Sequence, residues 1–220
     1  MTRSSRNWKT IPGSFDALHT SQLFPSDSNP WDIPLLDHAP IAYTPSCLVP
    51  YRTRERSKDG MAGSAVHFFL DDYRFESVWS RPAKGLQALR RYTTILTPDF
   101  SLYADYPLAL QLWNTYRSRW CGAYWQHRGF QVIPTLSWST PESYIFCFAG
   151  VPQRSLVAIS TVGVRQQDRA LFDHGYRELI AHLCPSRVLC YGKLPVELEH
   201  LAEVKYYAPQ RERLRSAATA

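Results

Sequence analysis

Five short apolar runs in this 220-residue chain each break into polar residues just before a helix-like or loop segment. In the first, residues 66–73, the apolar residues stop abruptly at Asp71 and Asp72. The others cover residues 94–99, 132–138, 156–161 and 188–192. A short apolar run bounded by polar residues is typical of a strand buried on both faces of a sheet.

Helical patterns separate these runs. Strands are predicted at residues 65–70, 93–96, 130–136, 155–161 and 187–191, with a last one at 204–207. Helices are predicted at residues 82–92, 107–127 and 168–183, with a short one at 197–202, and residues 140–148 are open to either state. Because strands alternating with helices form right-handed crossovers, we predict an α/β fold with a mostly parallel sheet of five to six strands. An open doubly wound sheet and an incomplete barrel are both compatible with this alternation.

The first 62 residues differ from the rest because seven prolines arrive there at short intervals. Proline removes a backbone donor and keeps the preceding residue extended, so we predict an irregular N-terminal arm over residues 1–62. Its apolar residues suggest that parts of it pack onto the domain, and residues 41–51 are compatible with a short strand pair. The α/β domain is predicted at residues 63–208, and a basic flexible tail is predicted at residues 209–220.

Composition and charge narrow the functional class of the protein only slightly. Hydrophobic residues make up 45% and charged residues 20%, which is ordinary for a globular chain. Half of the net charge of +6 lies in the last 16 residues, 205–220, so the charge favours a nucleic-acid partner only weakly. Five scattered cysteines without a C-x-x-C pair indicate reduced thiols and a cytoplasmic protein. No segment resembles a signal peptide or a membrane span, and the oligomeric state stays open.

Polar side chains at the carboxyl ends of the predicted strands are the candidates for chemistry, because ligands bind at that edge of a parallel sheet. Catalytic carboxylates are expected among Asp71, Asp72, Asp99 and Asp105. Substrate contacts are expected from Ser101, Ser137, Trp138, Ser160, Tyr191 and Gly192. Trp138 suits stacking on a base or sugar, although burial explains it equally well. Gly192 permits either a close approach to a ligand or a simple turn.

The carboxylates suggest two kinds of chemistry. Asp71 or Asp72 together with Asp99 would suit Mg²⁺ or Mn²⁺, which prefer oxygen ligands, and Asp71 with Asp99 is the metal pair we favour. The same groups would also suit a general acid–base pair. Against both stands a structural interpretation in which these aspartates cap helices, make turns or pair with Arg74 or Arg81.

A second candidate surface lies on the helices. Arg90, Arg91, Arg117 and Arg119 are interleaved with tryptophan and tyrosine, a mixture that single-stranded nucleic-acid binding uses. The alternative is a solvated basic face whose aromatics turn into the core.

A series of short motifs resembles a family of known sequence but unknown role. The motifs are HFFLDDYRFE at 67–76, TPDFSLY at 97–103, VIPTLSW at 132–138, AGVP at 149–152, ISTVG at 159–163 and YG at 191–192. Over residues 30–208 they look like the domain-of-unknown-function family numbered 4417. The resemblance implies a bacterial, phage or mobile-element origin, and it brings no activity, fold or catalytic residue with it.

Three functions follow as hypotheses. The first is action on nucleic acid or a nucleotide-like ligand at the carboxyl edge of the sheet, including metal-assisted phosphoester chemistry. The second is a non-catalytic nucleic-acid-binding or partner-binding protein. The third is a carbohydrate hydrolase with paired carboxylates. The chain has no P-loop, no dinucleotide-binding glycine pattern and no nucleophile elbow, which argues against nucleotide triphosphatases, Rossmann dehydrogenases and ordinary serine hydrolases.

Overall fold

A computed structural model describes residues 16–26, 29–52 and 63–209. Seven strands and five α-helices alternate along these residues. The strands are β1 (Cys47–Pro50), β2 (Ser64–His67), β3 (Thr94–Leu96), β4 (Gln131–Ile133), β5 (Leu156–Ser160), β6 (Arg187–Tyr191) and β7 (Val204–Tyr207). The helices are α1 (Ser77–Ser80), α2 (Pro82–Leu89), α3 (Leu108–Gln126), α4 (Tyr144–Cys147) and α5 (Arg169–Leu183). Single turns of 3₁₀-helix occupy Ile41–Tyr43, Asp72–Arg74, Pro141–Ser143 and Gln166–Asp168, and a longer one Val196–Leu201.

The α/β class and the parallel pairing are confirmed, but the single sheet of five to six strands is wrong. Strands β1 to β4 form one parallel sheet in chain order, and β5 to β7 form a second. A doubly wound sheet would reverse its strand order at a switch point, and neither sheet does so.

The sheets separate after β4 for an identifiable reason. Pro134 follows the strand and has no N–H to donate to a ladder. The N–H of Thr135 donates to Oγ1 of Thr97, at 2.8 Å, instead of to a strand carbonyl. Among the described residues, the strand pairing between the two sheets is then reduced to an isolated parallel bridge between Thr135 and Ala158.

Strand β1 also differs from the prediction. Residues 41–51 contain one 3₁₀ turn and one strand, not a strand pair, and β1 pairs in parallel with β2. This strand lies within the segment predicted to be irregular. Residues 1–15, 27–28, 53–62 and 210–220, which include much of that arm and nearly all of the predicted tail, lie outside the described residues.

Alternate residues of the strands face opposite sides of each sheet. One set packs against the helices: Val66 of β2, and Phe68 just after it, belong to one buried cluster with Trp120 and Trp125 of α3. In the second sheet, residues of β5 and β6 likewise pack against α5. This alternation follows from the two-residue period of a strand.

The opposite set of strand residues forms a third cluster to which all seven strands contribute. Its buried members are Ala39, Leu48, Ala65, Leu96, Ile133, Leu156, Ala158, Leu189, Tyr191 and Tyr207. Lys205 and Tyr207 of β7 donate hydrogen bonds to the carbonyl of Pro45, each at 2.7 Å. The last strand therefore lies beside the segment that leads into the first, and the two sheets curve round a shared interior.

All five cysteines are free thiols, as expected, and Cys121, Cys147 and Cys190 are buried. Within the described ranges, no helix is long and apolar enough to cross a lipid bilayer.

Arg119 on α3 is almost fully buried and donates hydrogen bonds to three backbone carbonyls, those of Thr135, Cys147 and Ala149. We expect Arg119→Met to lower the free energy of unfolding by about 3 kcal/mol or more, because each buried carbonyl left without a donor costs about 1–3 kcal/mol. Urea unfolding would measure this. Arg177→Met, an exposed arginine on α5, should change stability by less than about 0.5 kcal/mol. Equal small effects in both variants would contradict the structural role of Arg119.

Candidate functional site

A cavity of about 1000 Å³ lies at the carboxyl ends of β2 to β6. Eight of the ten predicted strand-end residues line it: Asp71, Asp99, Ser101, Asp105, Ser137, Trp138, Ser160 and Tyr191. Asp72 and Gly192 are the two that do not. The carboxyl ends of the parallel strands thus bring together residues that are more than a hundred positions apart in the chain. This is the edge at which parallel strands present a ligand site.

The chain turns sharply at the first pair of carboxylates. Strand β2 ends at His67, and the 3₁₀ turn Asp72–Arg74 follows. Asp71 stays exposed on the cavity wall. The carboxylate of Asp72 instead accepts hydrogen bonds from the backbone N–H of Ser101 at 3.1 Å and from its hydroxyl at 2.9 Å. Asp72 therefore holds the loop after β3 against the loop after β2.

Asp99 is the most perturbed acid on the cavity wall. Burial raises the pKa of its carboxyl, and the negative charge of Asp72 raises it further, to about 7, although a hydrogen bond with Ser137 opposes the rise. The group therefore exchanges its proton near neutral pH. A carboxyl of this kind can act as a proton donor or acceptor without a large change in conditions.

Helix α3 fixes the loop that carries Ser101. The side-chain amide of Asn114 donates to the carbonyl of Ser101 at 2.7 Å, and Arg117 donates to the amide oxygen of Asn114 at 2.6 Å. Arg117 also forms an ion pair with Glu76 at 2.9 Å and lies 3.9 Å over the ring of Phe100. The guanidinium is thus engaged within the protein.

The four arginines predicted to bind nucleic acid do not form one surface. Arg119 is buried, with its guanidinium bonded to backbone carbonyls, and Arg117 is held by Glu76. Arg90 and Arg91 are exposed, at the end of α2. Because the two α3 arginines are used inside the fold, the helical stripe does not supply a continuous set of cations to phosphates.

Trp138 lies between the cavity and α5, where a glycine makes room for it. A Cβ atom at Gly175 would lie 2.1–2.6 Å from atoms of the indole. Phe172 contacts the indole as well, with ring centroids 5.3 Å apart. Trp138 is only partly buried and lines the cavity, so one part of its surface is backed by α5 and another stays accessible.

The ends of β5 and β6 are in direct contact. Ser160 donates to the carbonyl of Tyr191 at 3.4 Å, and Tyr191 stacks on Phe69 with ring centroids 5.1 Å apart. Gly192 has a φ of +111°, and a Cβ there would lie 2.2 Å from Oγ1 of Thr161. Gly192 therefore permits close packing of two strand ends, which agrees with the turn interpretation rather than with a direct ligand contact.

Sequence reasoning overlooked several residues of the cavity wall, among them Phe69, Arg165 and Phe172. Phe69 stands two residues before Asp71, and an inward-facing position there follows from strand alternation. Arg165 lies a few residues beyond the end of β5, so extending the strand-end rule into the following loop would have found it. Phe172 belongs to α5, and no local signal distinguishes it from an ordinary core residue.

Within the part of the chain that the structure describes, no three or more His, Cys, Asp or Glu residues are grouped closely enough to hold a metal ion. Asp71 and Asp99 line the same cavity as a pair of carboxylates. Mg²⁺ commonly uses one or two protein carboxylates and takes its other ligands from water and substrate phosphate.

These features define an α/β protein of parallel strands with a cavity at their carboxyl edge. The profile of the family described as "Domain of unknown function (DUF4417)" matches residues 24–208, and the chain belongs to that family. The "Gene 1 protein" of Mycobacterium phage L5 is 46% identical over 223 residues, covering 100% of this chain and 96% of that protein. The "Gene 1 protein" of Mycobacterium phage D29 is 46% identical over 218 residues, covering 97% and 80%. The expected phage relationship is confirmed, and no solved structure matches the chain.

The raised pKa of Asp99 predicts how stability depends on pH. The folded protein keeps this proton up to about pH 7, whereas the unfolded chain loses it near pH 4. The contribution of Asp99 is therefore most favourable below pH 4 and is lost as the pH rises from about 4 to 7. We expect Asp99→Asn, which cannot ionise, to gain about 2–4 kcal/mol relative to wild type over this range. Urea unfolding at a series of pH values measures the difference.

Asp105→Asn is the matched control, because Asp105 is an exposed carboxylate on the same cavity. Measured over the same window, this variant gives the baseline for replacing a carboxylate of the cavity. If the Asp99→Asn difference changed with pH no more than this baseline, the carboxyl of Asp99 would not be protonated in the folded protein at neutral pH.

Proposed function

We propose that this protein is an enzyme that acts on a nucleotide-like ligand in the carboxyl-edge cavity, with Asp99 as its proton-transfer group. The observation that carries the proposal is the environment of Asp99, whose pKa is raised to about 7 while the residue lines the cavity. General acid–base catalysis works best when the pKa of the group lies near the working pH.

The surroundings of Asp99 support a division of roles between two carboxyl groups. Asp72 accepts two hydrogen bonds from Ser101, which fix the position of its carboxylate. Its negative charge raises the pKa of Asp99, while the Ser137 hydroxyl bonds to the Asp99 carboxyl. A neighbouring negative charge is one way in which enzymes raise the pKa of an acid towards the working pH. Asp72 then acts as a positioning residue, and Asp99 as the acid or base.

The wall beside Asp99 suits a flat ring. Trp138 follows Ser137 directly, and the missing side chain at Gly175 lets its indole rest against α5. Glycine inside a helix costs about 0.5–1 kcal/mol of stability relative to alanine. Gly175 therefore weakens the helix slightly but leaves room for the indole. A base or another planar ring that stacks on Trp138 would gain about 1–3 kcal/mol.

At the level of the fold, we interpret the two curved sheets as an incomplete barrel whose mouth holds the site. The strands follow chain order, and β7 is bonded to the segment before β1. In barrels of parallel strands the loops at the carboxyl ends form the ligand site.

Metal-assisted phosphoester chemistry is the second candidate, favoured by the shared exposure of Asp71 and Asp99 to the cavity. In that case Asp71 and Asp99 would contribute oxygen ligands to Mg²⁺ or Mn²⁺, and the phosphate of the substrate would complete the site. The non-catalytic nucleic-acid-binding alternative has less support, because Arg117 and Arg119 are engaged inside the protein. The carbohydrate-hydrolase alternative stays a prediction.

Binding of ribonucleoside 5′-monophosphates tests the ligand class. The probe is added at about 1 mM. If this is a tenfold excess over its dissociation constant, binding raises the melting temperature of a protein of this size by about 3–5 °C. We expect such a rise for at least one of the four common monophosphates in wild type. Trp138→Ala should abolish it, whereas Tyr73→Ala, which removes an exposed aromatic that does not line the cavity, should leave it unchanged. No rise with any of the four would contradict a nucleotide-like ligand.

The catalytic role of Asp99 is tested by turnover of bis(p-nitrophenyl) phosphate and of a short single-stranded DNA, with Mg²⁺, with Mn²⁺ and with a chelator. We expect Asp99→Asn to bind the monophosphate normally and to lose about 100-fold or more in rate, since acid–base groups contribute 10²–10⁴-fold. A rate that depends on added metal, together with a metal-induced thermal shift present only in wild type, selects the metal-assisted candidate. Equal rates in wild type and Asp99→Asn would exclude Asp99 from the chemistry.

A further inference from the structure

A second, smaller pocket of about 400 Å³ adjoins the cavity beyond Phe172. Val164, Arg165 and Phe172 line both spaces, so the two are continuous along the loop after β5. The side pocket also contains Arg169 and Lys193, together with Thr161 and Gln166. Its cationic side chains come from three segments: the loop after β5, the start of α5 and the loop after β6.

The two ends of the combined site differ in charge. The loops after β2 and β3 place three carboxyl groups, Asp71, Asp99 and Asp105, on the cavity wall, together with one cation, Arg74. The charged side chains of the side pocket are all cations, Arg165, Arg169 and Lys193. Asp168 lines the larger cavity but not the side pocket. A ligand that spans both spaces would therefore meet carboxylates at one end and positive charge at the other.

The three cations are held in different ways. Arg169 donates from Nε to Asp173 at 2.9 Å and from Nη2 to Glu197 at 2.8 Å, so its guanidinium is fixed and largely neutralised. Arg165 and Lys193 take part in none of the ion pairs found among the described residues. The backbone N–H of Lys193 donates to Oγ1 of Thr161 at 3.0 Å, which fixes the base of the lysine while its side chain is exposed. Two cations of this pocket are thus uncompensated within the described protein.

The pocket also lies at the N-terminal end of α5, whose first turn contains no acidic residue and whose N-cap residue, Asp168, makes no side-chain capping hydrogen bond. A helix N-terminus carries about half a positive charge, and this adds to the field of the three cations. The pocket is an open concavity in which side-chain donors are combined with the apolar residues Val164, Phe172 and Pro195. Such a site favours a compact anion with several acceptor oxygens.

We propose that this side pocket, formed by Arg165, Arg169 and Lys193, binds a terminal phosphate monoester of the ligand whose ring stacks on Trp138. This inference rests on the proposed function for the position of the ring, and on the side pocket alone for the anion. Phe172 separates the two subsites, because it touches Trp138 on one side and lines the side pocket on the other. A nucleoside monophosphate and the phosphorylated end of a nucleic-acid strand share this chemistry.

Calorimetric titrations of the full chain test the phosphate subsite. The probes are inorganic phosphate, a ribonucleoside with and without its 5′-phosphate, and a four-nucleotide DNA with and without a 5′-phosphate. In wild type we expect the terminal phosphate to tighten binding by about tenfold or more, and the gain to shrink as salt rises. A gain with the mononucleotide alone identifies a small ligand, and a larger gain with the oligonucleotide identifies a strand end.

Side-chain variants then locate the effect. Lys193→Ala and Arg165→Ala should each remove most of the phosphate gain, because each deletes a cation that has no ion pair in the protein. Arg177→Ala, which removes an exposed cation from the same helix α5, should keep the full gain. Asp99→Asn should also keep it, since that carboxyl lies at the other end of the combined site.

The outcomes separate this proposal from the proposed function. If inorganic phosphate binds wild type but not Lys193→Ala, and ribonucleosides do not bind at all, the phosphate subsite stands and the ring subsite fails. If no phosphorylated probe binds more tightly than its unphosphorylated form, or if Lys193→Ala and Arg165→Ala retain the gain, the phosphate subsite is overturned. Inorganic phosphate that binds all variants equally would likewise overturn it.

Discussion

The buried guanidinium of Arg119 is the interaction on which the arrangement of the two sheets depends. Burial lowers its pKa to about 10, so it stays charged at neutral pH with no carboxylate in its hydrogen-bond set. Its donors go to the carbonyls of Thr135, Cys147 and Ala149. Thr135 is also the residue that bridges the two sheets. One side chain of α3 therefore ties the end of the first sheet to the chain that leads into the second.

The same helix organises the loops round the cavity. Asn114 holds the carbonyl of Ser101, and Gln111 bonds both to the carbonyl of Tyr106 and to Ser139. Polar residues buried on a helix need partners, because an unpaired buried polar group is costly. Here the partners lie in the strand-end loops. The hydrogen bonds that satisfy the buried polar side chains of α3 therefore also position the cavity wall. We regard this as the reason that the loops after β3 and β4 present Asp99, Ser137 and Trp138 together.

Sequence reasoning predicted the alternation of strands and helices well where periodicity is strong. The bounds of β6 and β7 agree with the prediction, and those of α3 and α5 differ by one residue at most at each end. Eight of the ten residues selected by the carboxyl-edge rule also line the cavity. The rule could not predict the split of the sheet, because that depends on Thr97 Oγ1 replacing a strand carbonyl as the partner of Thr135. The burial of Arg119 was equally hidden, since its acceptors lie 16 to 30 residues away along the chain.

The proposed chemistry depends on one ionisable group, Asp99, and its titration can be observed directly. A ¹³C NMR pH titration of the aspartate side-chain carboxyls, with Asp99 assigned by its absence in Asp99→Asn, measures the pKa in the folded protein. We predict a midpoint near 7, well above the ordinary aspartate value, because of burial and the charge of Asp72. A midpoint near 4 would show that Asp99 is an ordinary solvated carboxylate and would contradict its role as the proton-transfer group.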